Sequence, residues 1–248
     1  MAMQSFSARS LQAFVDITNR PEWHGRVMLF RGQPVRGNLL PSIARANPTY
    51  DSTQLERTML DQFRLMGSSL LSNVEKTELE LMIVAQHFGL KTRLLDWTRS
   101  PLIALYFACS SGGPGPAYVY AMDASVLASS FTTDPFLGAE SERKNSAKVP
   151  ITSVFQPPMN NPRITVQQGW FTLHRYSEKR GAFIPLEEAS DFASHPEADV
   201  AGLVEIEIPE RARSDLVATL MRHGISHHTI YPDLAGLAQH LNSVHALS

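Results

Sequence analysis

The chain has 248 residues, of which 43% are hydrophobic and 19% charged, a balance typical of a globular protein with a sizeable core. Its formal net charge of −2 excludes a global field that would draw it onto nucleic acid or an anionic membrane, although it leaves room for a local basic patch. A single cysteine, Cys109, excludes an internal disulfide and a cysteine-rich zinc site, and it fits a reducing cytosol.

The sequence gives no sign of a membrane partner or of a second domain. The N-terminal residues lack an apolar signal core, and no apolar run approaches the roughly 18 residues that span a bilayer. No internal repeat and no clear linker divides the chain. We therefore expect a soluble cytoplasmic protein with a single domain over residues 1–248, in which residues 1–26 form an N-terminal helix and a lead-in.

The first predicted strand is the apolar run 27–30, which is bounded by turn residues and should be buried. A short helix that Ser7 can cap precedes it. Arg31 is expected at the end of this strand, followed by Gly32, where the backbone can turn sharply. Residues 33–50 hold three prolines and predict a long irregular connection, a type of segment that often covers a site.

Two Thr-x-x-Glu patterns predict capping boxes at the start of two helices. The first is Thr53 with Glu56, and the second is Thr77 with Glu80. The second helix should end before Gly89, since glycine is the usual residue just past a helix C-terminus.

The stretch 85–108 places a histidine, two arginines, an aspartate and a tryptophan in a predicted loop. Ser100 followed by Pro101 predicts the N-cap and first turn of a helix that is apolar on nearly all sides and therefore buried. Polar side chains held against a buried helix need partners, because unpaired buried charge is costly. The loop is therefore either an internally satisfied structural unit or part of a binding site.

Beyond the predicted buried helix, the chain carries three predicted strands, at 117–122, 163–174 and 203–208. The middle one is interrupted by Gly169, which suggests a bulge. The last one alternates apolar residues with glutamates, so it should be half exposed and close to a sheet edge.

Residues 131–149 show no steady period and are expected to form a mobile insertion. Two helices, at 211–223 and 233–241, end the chain. Helices cluster in the first half and strands are scattered, so the pattern predicts a single α+β domain.

Arg31 has two interpretations. Its guanidinium can clamp a phosphate or diphosphate, because it offers paired donors, or it can form a structural ion pair with a carboxylate such as Asp96. Arg93 and Asp96 are three residues apart and are expected to pair with each other or with the backbone, as scaffolding. Trp97 is either a core aromatic or a stacking platform for a base.

His87 lies in the last turn of a predicted helix. It can interact with the exposed helix carbonyls, or it can point into the following loop and orient a ligand hydroxyl or exchange a proton. Gln167 and Gln168 point to opposite faces if their segment is a regular strand, so one of them should face the core or a site. The pattern does not decide which.

The sequence favours chemistry without a metal. The histidines His223, His227 and His228 are separated by a helix-breaking glycine, and no carboxylate or cysteine falls at ligand spacing. No glycine-rich phosphate loop, serine elbow or zinc-protease motif is present.

Four ordered motifs resemble the FRG domain family, which is named for a Phe-Arg-Gly triplet. They are residues 30–33 (FRGQ), 85–108, 163–172 (RITVQQGWFT) and 224–237. They run from about residue 27 to residue 240, so the resemblance covers nearly the whole chain.

The resemblance implies a distant relationship to ADP-ribosyltransferases, whose split, mixed or antiparallel sheets bind NAD as a substrate through three short motifs. By that analogy Arg31 matches the first motif, Thr92 the second and Gln168 the third. The residues implied for catalysis are Arg31, His87 and Gln168. The residues implied for NAD binding are Arg31, Gln33, Phe88, Thr92, Arg93, Asp96 and Trp97.

The chain departs from the better-known transferases in having no ExE-type glutamate near Gln168. Glu205 and Glu207 have the right form but lie on the strand that is predicted to be half exposed. The departure puts protein-arginine modification in doubt and favours nucleic-acid or nucleotide acceptors.

FRG-type proteins also occur among bacterial toxins and phage-defence components. This implies an RNA, DNA or protein acceptor and, for a toxin, an antitoxin or inhibitor protein as a partner. The expected function is therefore that of an NAD-dependent ADP-ribosyltransferase with no metal. The alternative is a non-catalytic FRG module that binds a nucleotide or a partner, which a neutral glutamine in place of a catalytic glutamate favours.

Overall fold

A seven-stranded mixed sheet forms the centre of the protein. In chain order the strands of the structure are β1 (Gln4–Ser7), β2 (Met28–Gln33), β3 (Leu94–Thr98), β4 (Ala117–Asp123), β5 (Thr152–Phe155), β6 (Gly169–His174), β7 (Tyr176–Ser177), β8 (Ala182–Phe183) and β9 (Leu203–Ile208). The order across the large sheet is β1-β9-β4-β2-β3-β6-β5, and β7 pairs with β8 separately. The β1–β9 pair is parallel, and the other pairs among the described residues are antiparallel.

Eight α-helices surround this sheet in the described part of the chain. They are α1 (Leu11–Thr18), α2 (Thr53–Met66), α3 (Glu78–His87), α4 (Pro101–Ser110), α5 (Pro162–Val166), α6 (Glu210–Arg222), α7 (His227–Ile230) and α8 (Leu234–Val244). The α+β class is therefore confirmed. Within the same residues, no helix has the length and apolar character needed to cross a membrane.

The computed structural model describes residues 3–71, 77–124, 134–138, 150–158, 162–189 and 202–245. The insertion predicted at 131–149 lies outside the described residues except for 134–138.

The large sheet consists of two halves that meet at a single residue pair. Strands β2 and β3 are paired only at Phe30 and Thr98, whereas β2 pairs along its whole length with β4, and β3 with β6. Backbone groups near such an opening lack ladder partners and need others. The carbonyl oxygen of Asp96 accepts a hydrogen bond from Nη1 of Arg31 at 2.8 Å. Arg31 therefore bridges the opening between the two halves.

Helix α4 is apolar on nearly all sides and packs across β2, in a core that it shares with α1 and α6. Ser100 caps it and Pro101 occupies its first turn, as predicted. Gly32 was expected at a turn, but it lies inside β2, where α4 approaches too closely for a side chain to fit. Arg31 is likewise within the strand and not at its end, so both expectations about this strand were wrong.

The predicted capping boxes had different outcomes. The pair Thr77 and Glu80 forms one at the start of α3, with both reciprocal hydrogen bonds present. The pair Thr53 and Glu56 does not, because Glu56 is fully buried and binds Arg93. The Glu56 carboxylate therefore binds a guanidinium close to β3 and not the backbone at the start of its own helix.

Four further predictions are corrected by the strands and helices of the structure. Residues 94–98 are a strand and not a loop, and residues 163–174 form α5, a turn and β6 in place of one strand. Strand β9 is buried, because the unpredicted β1 covers its outer side, and Glu205 on it is paired with Arg36 at 3.0 Å. Ser7 belongs to β1, and the residue that caps α1 is Ser10.

Candidate functional site

A cavity of about 350 Å³ lies where β2 and β3 diverge. Ligand pockets in proteins typically have volumes of roughly 300–1,000 Å³, so the space suits a small molecule or part of a larger one. Its walls come from β2, the C-terminal half of α3, β3, α4, α5, β6 and Tyr231. The opening between the two halves of the sheet therefore creates the site.

Arg31 forms the floor of the opening between the strands. Its side chain is 13% exposed, and its Nε donates to Oε1 of Gln33 at 3.2 Å. Burial lowers the pKa of Arg31 to about 10, against the opposing effect of the Asp96 carboxylate, so the group remains a cation at neutral pH. Among the described residues, Nη2 of Arg31 donates no hydrogen bond. That nitrogen is available to a ligand.

Asp96 lies opposite Arg31 on β3 and points its carboxylate towards α3. Its Oδ1 accepts a hydrogen bond from Nε2 of Gln86 at 2.7 Å, and its Oδ2 is 3.9 Å from Nη1 of Arg31. The Asp96 side chain is 65% exposed, so the carboxylate lies at the mouth of the cavity and is in contact with solvent.

His87 ends α3 and lines the cavity beside Gln86. Burial lowers the pKa of His87, and the positive charge of Arg163 acts in the same direction, while Asp233 opposes both. The imidazole is therefore neutral near pH 7 and can both donate and accept a hydrogen bond. Its ring packs edge-on against Phe88, with the ring centroids 4.9 Å apart.

The wall opposite the sheet is built around Tyr231. The guanidinium carbon of Arg163 lies 4.4 Å from the centroid of the Tyr231 ring, and His227 stacks on the same ring at 4.4 Å. Phe107 meets it edge-on at 6.1 Å. A Cβ on Gly236 would lie 2.1 Å from the Tyr231 carbonyl oxygen, so α8 packs directly against this backbone and holds the tyrosine in place.

Gln167, and not Gln168, lines the cavity. The two glutamines lie in the turn between α5 and β6, so the predicted alternation along a strand does not apply. The Nε2 of Gln167 donates to the carbonyl oxygen of Ile230 at 3.2 Å, which ties the turn to the segment that carries Tyr231. Gln168 has a φ of 48°, a conformation that non-glycine residues rarely adopt.

Arg93 is not paired with Asp96, so of the two predicted alternatives only the one with a backbone partner is present, at the Pro135 carbonyl. It is 1% exposed, and its Nε binds the fully buried Glu56 at 2.6 Å, while other nitrogens bind Thr53 and the Pro135 carbonyl. Arg93 therefore fastens α2 to β3. It lies outside the cavity lining.

The remaining predicted residues divide between the cavity and its support. Trp97 lines the cavity and is also 97% buried, with its indole nitrogen bonded to Thr172 at 3.1 Å. Gln33 accepts a hydrogen bond from Arg31, and the buried Thr92 donates one to Gln86. Both residues therefore hold a lining residue in place without lining the cavity themselves. Phe88 is 71% exposed and does not line the cavity.

The lining residues that had no role in the sequence-based interpretation include Gln86, Arg163 and Tyr231. Arg163 and Tyr231 belong to the third and fourth motifs, so the motifs contained them without indicating that they would meet. That juxtaposition depends on α5, α7 and α8 packing together, which no local sequence pattern reveals.

Comparison with known protein families gives a match to part of the chain. Residues 26–114 match the FRG domain. The matched range includes β2, α3, β3 and α4, and hence Arg31 and Asp96, while Arg163 and Tyr231 lie beyond it on the opposite wall of the same cavity. No curated protein and no solved structure matches the chain.

Proposed function

We propose that this protein, whose residues 26–114 are an FRG domain, binds NAD between β2 and β3 and transfers its ADP-ribose unit to an acceptor. The observation that carries the proposal is Arg31. It is a largely buried cation: within the described part of the chain, its closest carboxylate oxygen is 3.9 Å away and its Nη2 makes no hydrogen bond. A cation that is desolvated and incompletely paired gains most from an anionic ligand, and a diphosphate matches the paired donors of a guanidinium.

The other walls support a dinucleotide. Arg163 adds a second positive charge, and Trp97, Phe107 and Tyr231 supply aromatic surfaces for a planar ring. The polar groups of His87 and Gln167 are positioned to hold ribose hydroxyls. Cleavage of the glycosidic bond of NAD needs such positioning and electrostatic stabilisation more than it needs strong acids or metals.

The acceptor in this proposal is a macromolecule. The four FRG motifs resemble those of toxins and phage-defence proteins, which supports RNA, DNA or protein as the target and an antitoxin or inhibitor as a partner. The 65% exposure of Asp96 supports access from outside, because the mouth of the cavity is open on that side.

A second candidate is a binding module that recognises a nucleotide without chemistry. The observation that favours it is Gln167, since the residue that lines the cavity beside Gln168, the position matched to the third transferase motif, is a neutral amide. The two functions differ in one measurable property, which is whether bound NAD is consumed.

Calorimetric titration with NAD tests the binding step. Arg31→Ala should weaken NAD binding by about 2–5 kcal/mol, or roughly 30-fold and more, because it removes a charge-assisted contact. Arg31→Lys keeps the charge but loses the paired geometry, so it should weaken binding by roughly tenfold or more. Arg64→Ala removes a surface arginine paired with Glu78 and serves as the control, with wild-type affinity expected.

Thermal melting of the same variants separates binding from folding. The proposal fails if the wild type does not bind NAD, or if folded Arg31 variants bind it as tightly as the wild type.

A further inference from the structure

Three polar side chains form a hydrogen-bonded chain that ends at the cavity. The hydroxyl of Thr92, which is completely buried, donates to Oε1 of Gln86. The Nε2 of Gln86 in turn donates to Oδ1 of Asp96 at 2.7 Å. The backbone N–H groups of Thr92 and Leu94 fix the threonine, the first by donating to Ser42 and the second by donating to the Thr92 hydroxyl.

This chain sets the orientation of the Gln86 amide. Because its oxygen is occupied by a hydroxyl donor, its NH₂ group must face the carboxylate of Asp96. One carboxylate oxygen is therefore held, while Oδ2 accepts no hydrogen bond from the described residues and has only the 3.9 Å ion-pair contact with Arg31. Among the described residues that line the cavity, Asp96 is also the only carboxylate.

We propose that Asp96 is a catalytic residue, the general base that takes the proton of the acceptor, and that Gln86 is the positioning residue that aims it. The inference rests on the proposed function. A base in this reaction must reach both the reacting sugar and an incoming acceptor, and Asp96 lines the cavity while 65% of its side chain contacts solvent. Its fixed orientation is the kind of preorganisation that general-base catalysis uses.

The step is balanced without any further reactant. The bond between C1′ of the nicotinamide ribose and the ring nitrogen breaks, and neutral nicotinamide leaves with the bonding electron pair. The O–H or N–H group of the acceptor, with water as the smallest case, forms a new bond to C1′. Its proton passes to Oδ2 of Asp96 and then to solvent.

Steady-state nicotinamide release from NAD, in the presence of mixed RNA, DNA and protein acceptors, tests the assignment together with NAD titration. Asp96→Asn should lower kcat by roughly 10²-fold or more, the usual range for loss of a general base, and leave the Kd for NAD within about threefold. Asp96→Ala should regain activity on addition of formate, which supplies a carboxylate in the vacated space. Gln86→Ala should lower kcat by roughly tenfold with KM within about threefold, as is typical when a supporting hydrogen bond is lost.

The surface of α1 provides a matched control. There Nε2 of Gln12 donates to Oδ1 of Asp16 at 2.8 Å, the same type of contact away from the cavity lining. Gln12→Ala and Asp16→Asn should both retain wild-type kcat and show no response to formate.

Each other outcome overturns the assignment. Wild-type kcat in folded Asp96→Asn would exclude the base, and a raised Kd at unchanged kcat would make Asp96 a binding residue. In both cases the proposed function survives, because the wild type still binds and consumes NAD. A wild type that fails to release nicotinamide, whether or not it binds NAD, removes the proposed transferase function and the role of Asp96 with it.

Discussion

A Cβ atom on Gly32 would lie 1.9 Å from the carbonyl oxygen of Ala104 and 2.6 Å from the backbone nitrogen of Ala108. Side-chain carbons do not approach other atoms this closely, so β2 and α4 are in direct backbone contact. The contact brings Phe107 of α4 to the cavity next to Arg31. The glycine of the Phe-Arg-Gly triplet therefore sets the distance between the strand and the helix that build the site.

Gly32→Ala should destabilise the protein by at least about 2–3 kcal/mol, because the backbone atoms that it meets cannot rotate away. Urea denaturation measures the loss, and a variant that does not fold at all agrees with the expectation. Gly112→Ala is the control, since a Cβ there meets nothing within 4 Å, and it should change stability by no more than about 0.5 kcal/mol. A wild-type denaturation midpoint for Gly32→Ala would show that α4 can move aside.

The buried pair Glu56 and Arg93 should behave as one energetic unit. Removing either partner, as in Glu56→Gln or Arg93→Met, leaves a buried charge alone and should cost about 3–5 kcal/mol of unfolding free energy. The double variant should cost clearly less than the sum, as measured by a double-mutant cycle in urea. The same cycle between Arg93 and Asp96 should be additive, and coupling there would reinstate the pairing that the sequence suggested.

The stability of the protein should fall on acidification because of His174. Burial lowers the pKa of His174 from 6.5 to about 3, with help from the positive charges of Arg31 and Arg175. The folded state then binds fewer protons than the unfolded state below pH 6.5. The stability that the neutral His174 contributes is therefore fully present above that pH and is lost as the pH falls towards 3. Between pH 6.5 and pH 5 the loss amounts to about 2 kcal/mol, at about 1.4 kcal/mol per pKa unit.

Urea denaturation of wild type and His174→Gln across this pH range checks the expectation. The variant should start less stable at pH 7, and the difference should shrink as the pH falls. His24→Gln changes an exposed histidine and should follow the wild-type curve. Parallel curves for wild type and His174→Gln would show that His174 does not control the acid response.

The two adjacent glutamines should give opposite kinetic results. Gln167→Ala should lower nicotinamide release by roughly 10²-fold, the scale of one preorganised polar contact, and change NAD affinity by only a few fold. Gln168→Gly should leave turnover unchanged and raise stability by up to about 1 kcal/mol, because glycine tolerates its positive φ. A turnover defect at Gln168 with none at Gln167 would return the third motif to Gln168.

Local signals in the sequence predicted the elements that depend on neighbouring residues. Ser100, Thr77 and Gly89 marked helix ends correctly, because each acts through backbone groups within a few residues. Thr53 with Glu56 carried the same signal and failed, since Arg93, 37 residues beyond Glu56, offered the glutamate a stronger partner. A pattern of this kind cannot indicate which carboxylate a distant arginine will take.

The candidate site likewise combines residues that local motifs predict with contacts that they do not. Arg31, His87, Asp96 and Trp97 could be identified as candidates because they lie within two short motifs, and all four line the cavity. The single pairing between β2 and β3 that opens the cavity, and the arrival of Tyr231 on its far wall, depend on contacts across the whole chain. No periodicity or cap in the sequence encodes them.

Nicotinamide release from NAD by the purified protein, followed by chromatography with RNA, DNA and protein acceptors present, tests the central claim most directly. The account predicts release by the wild type, ADP-ribose attached to one acceptor class, and loss of both in Arg31→Ala with the fold retained. Intact NAD in every wild-type reaction would contradict it.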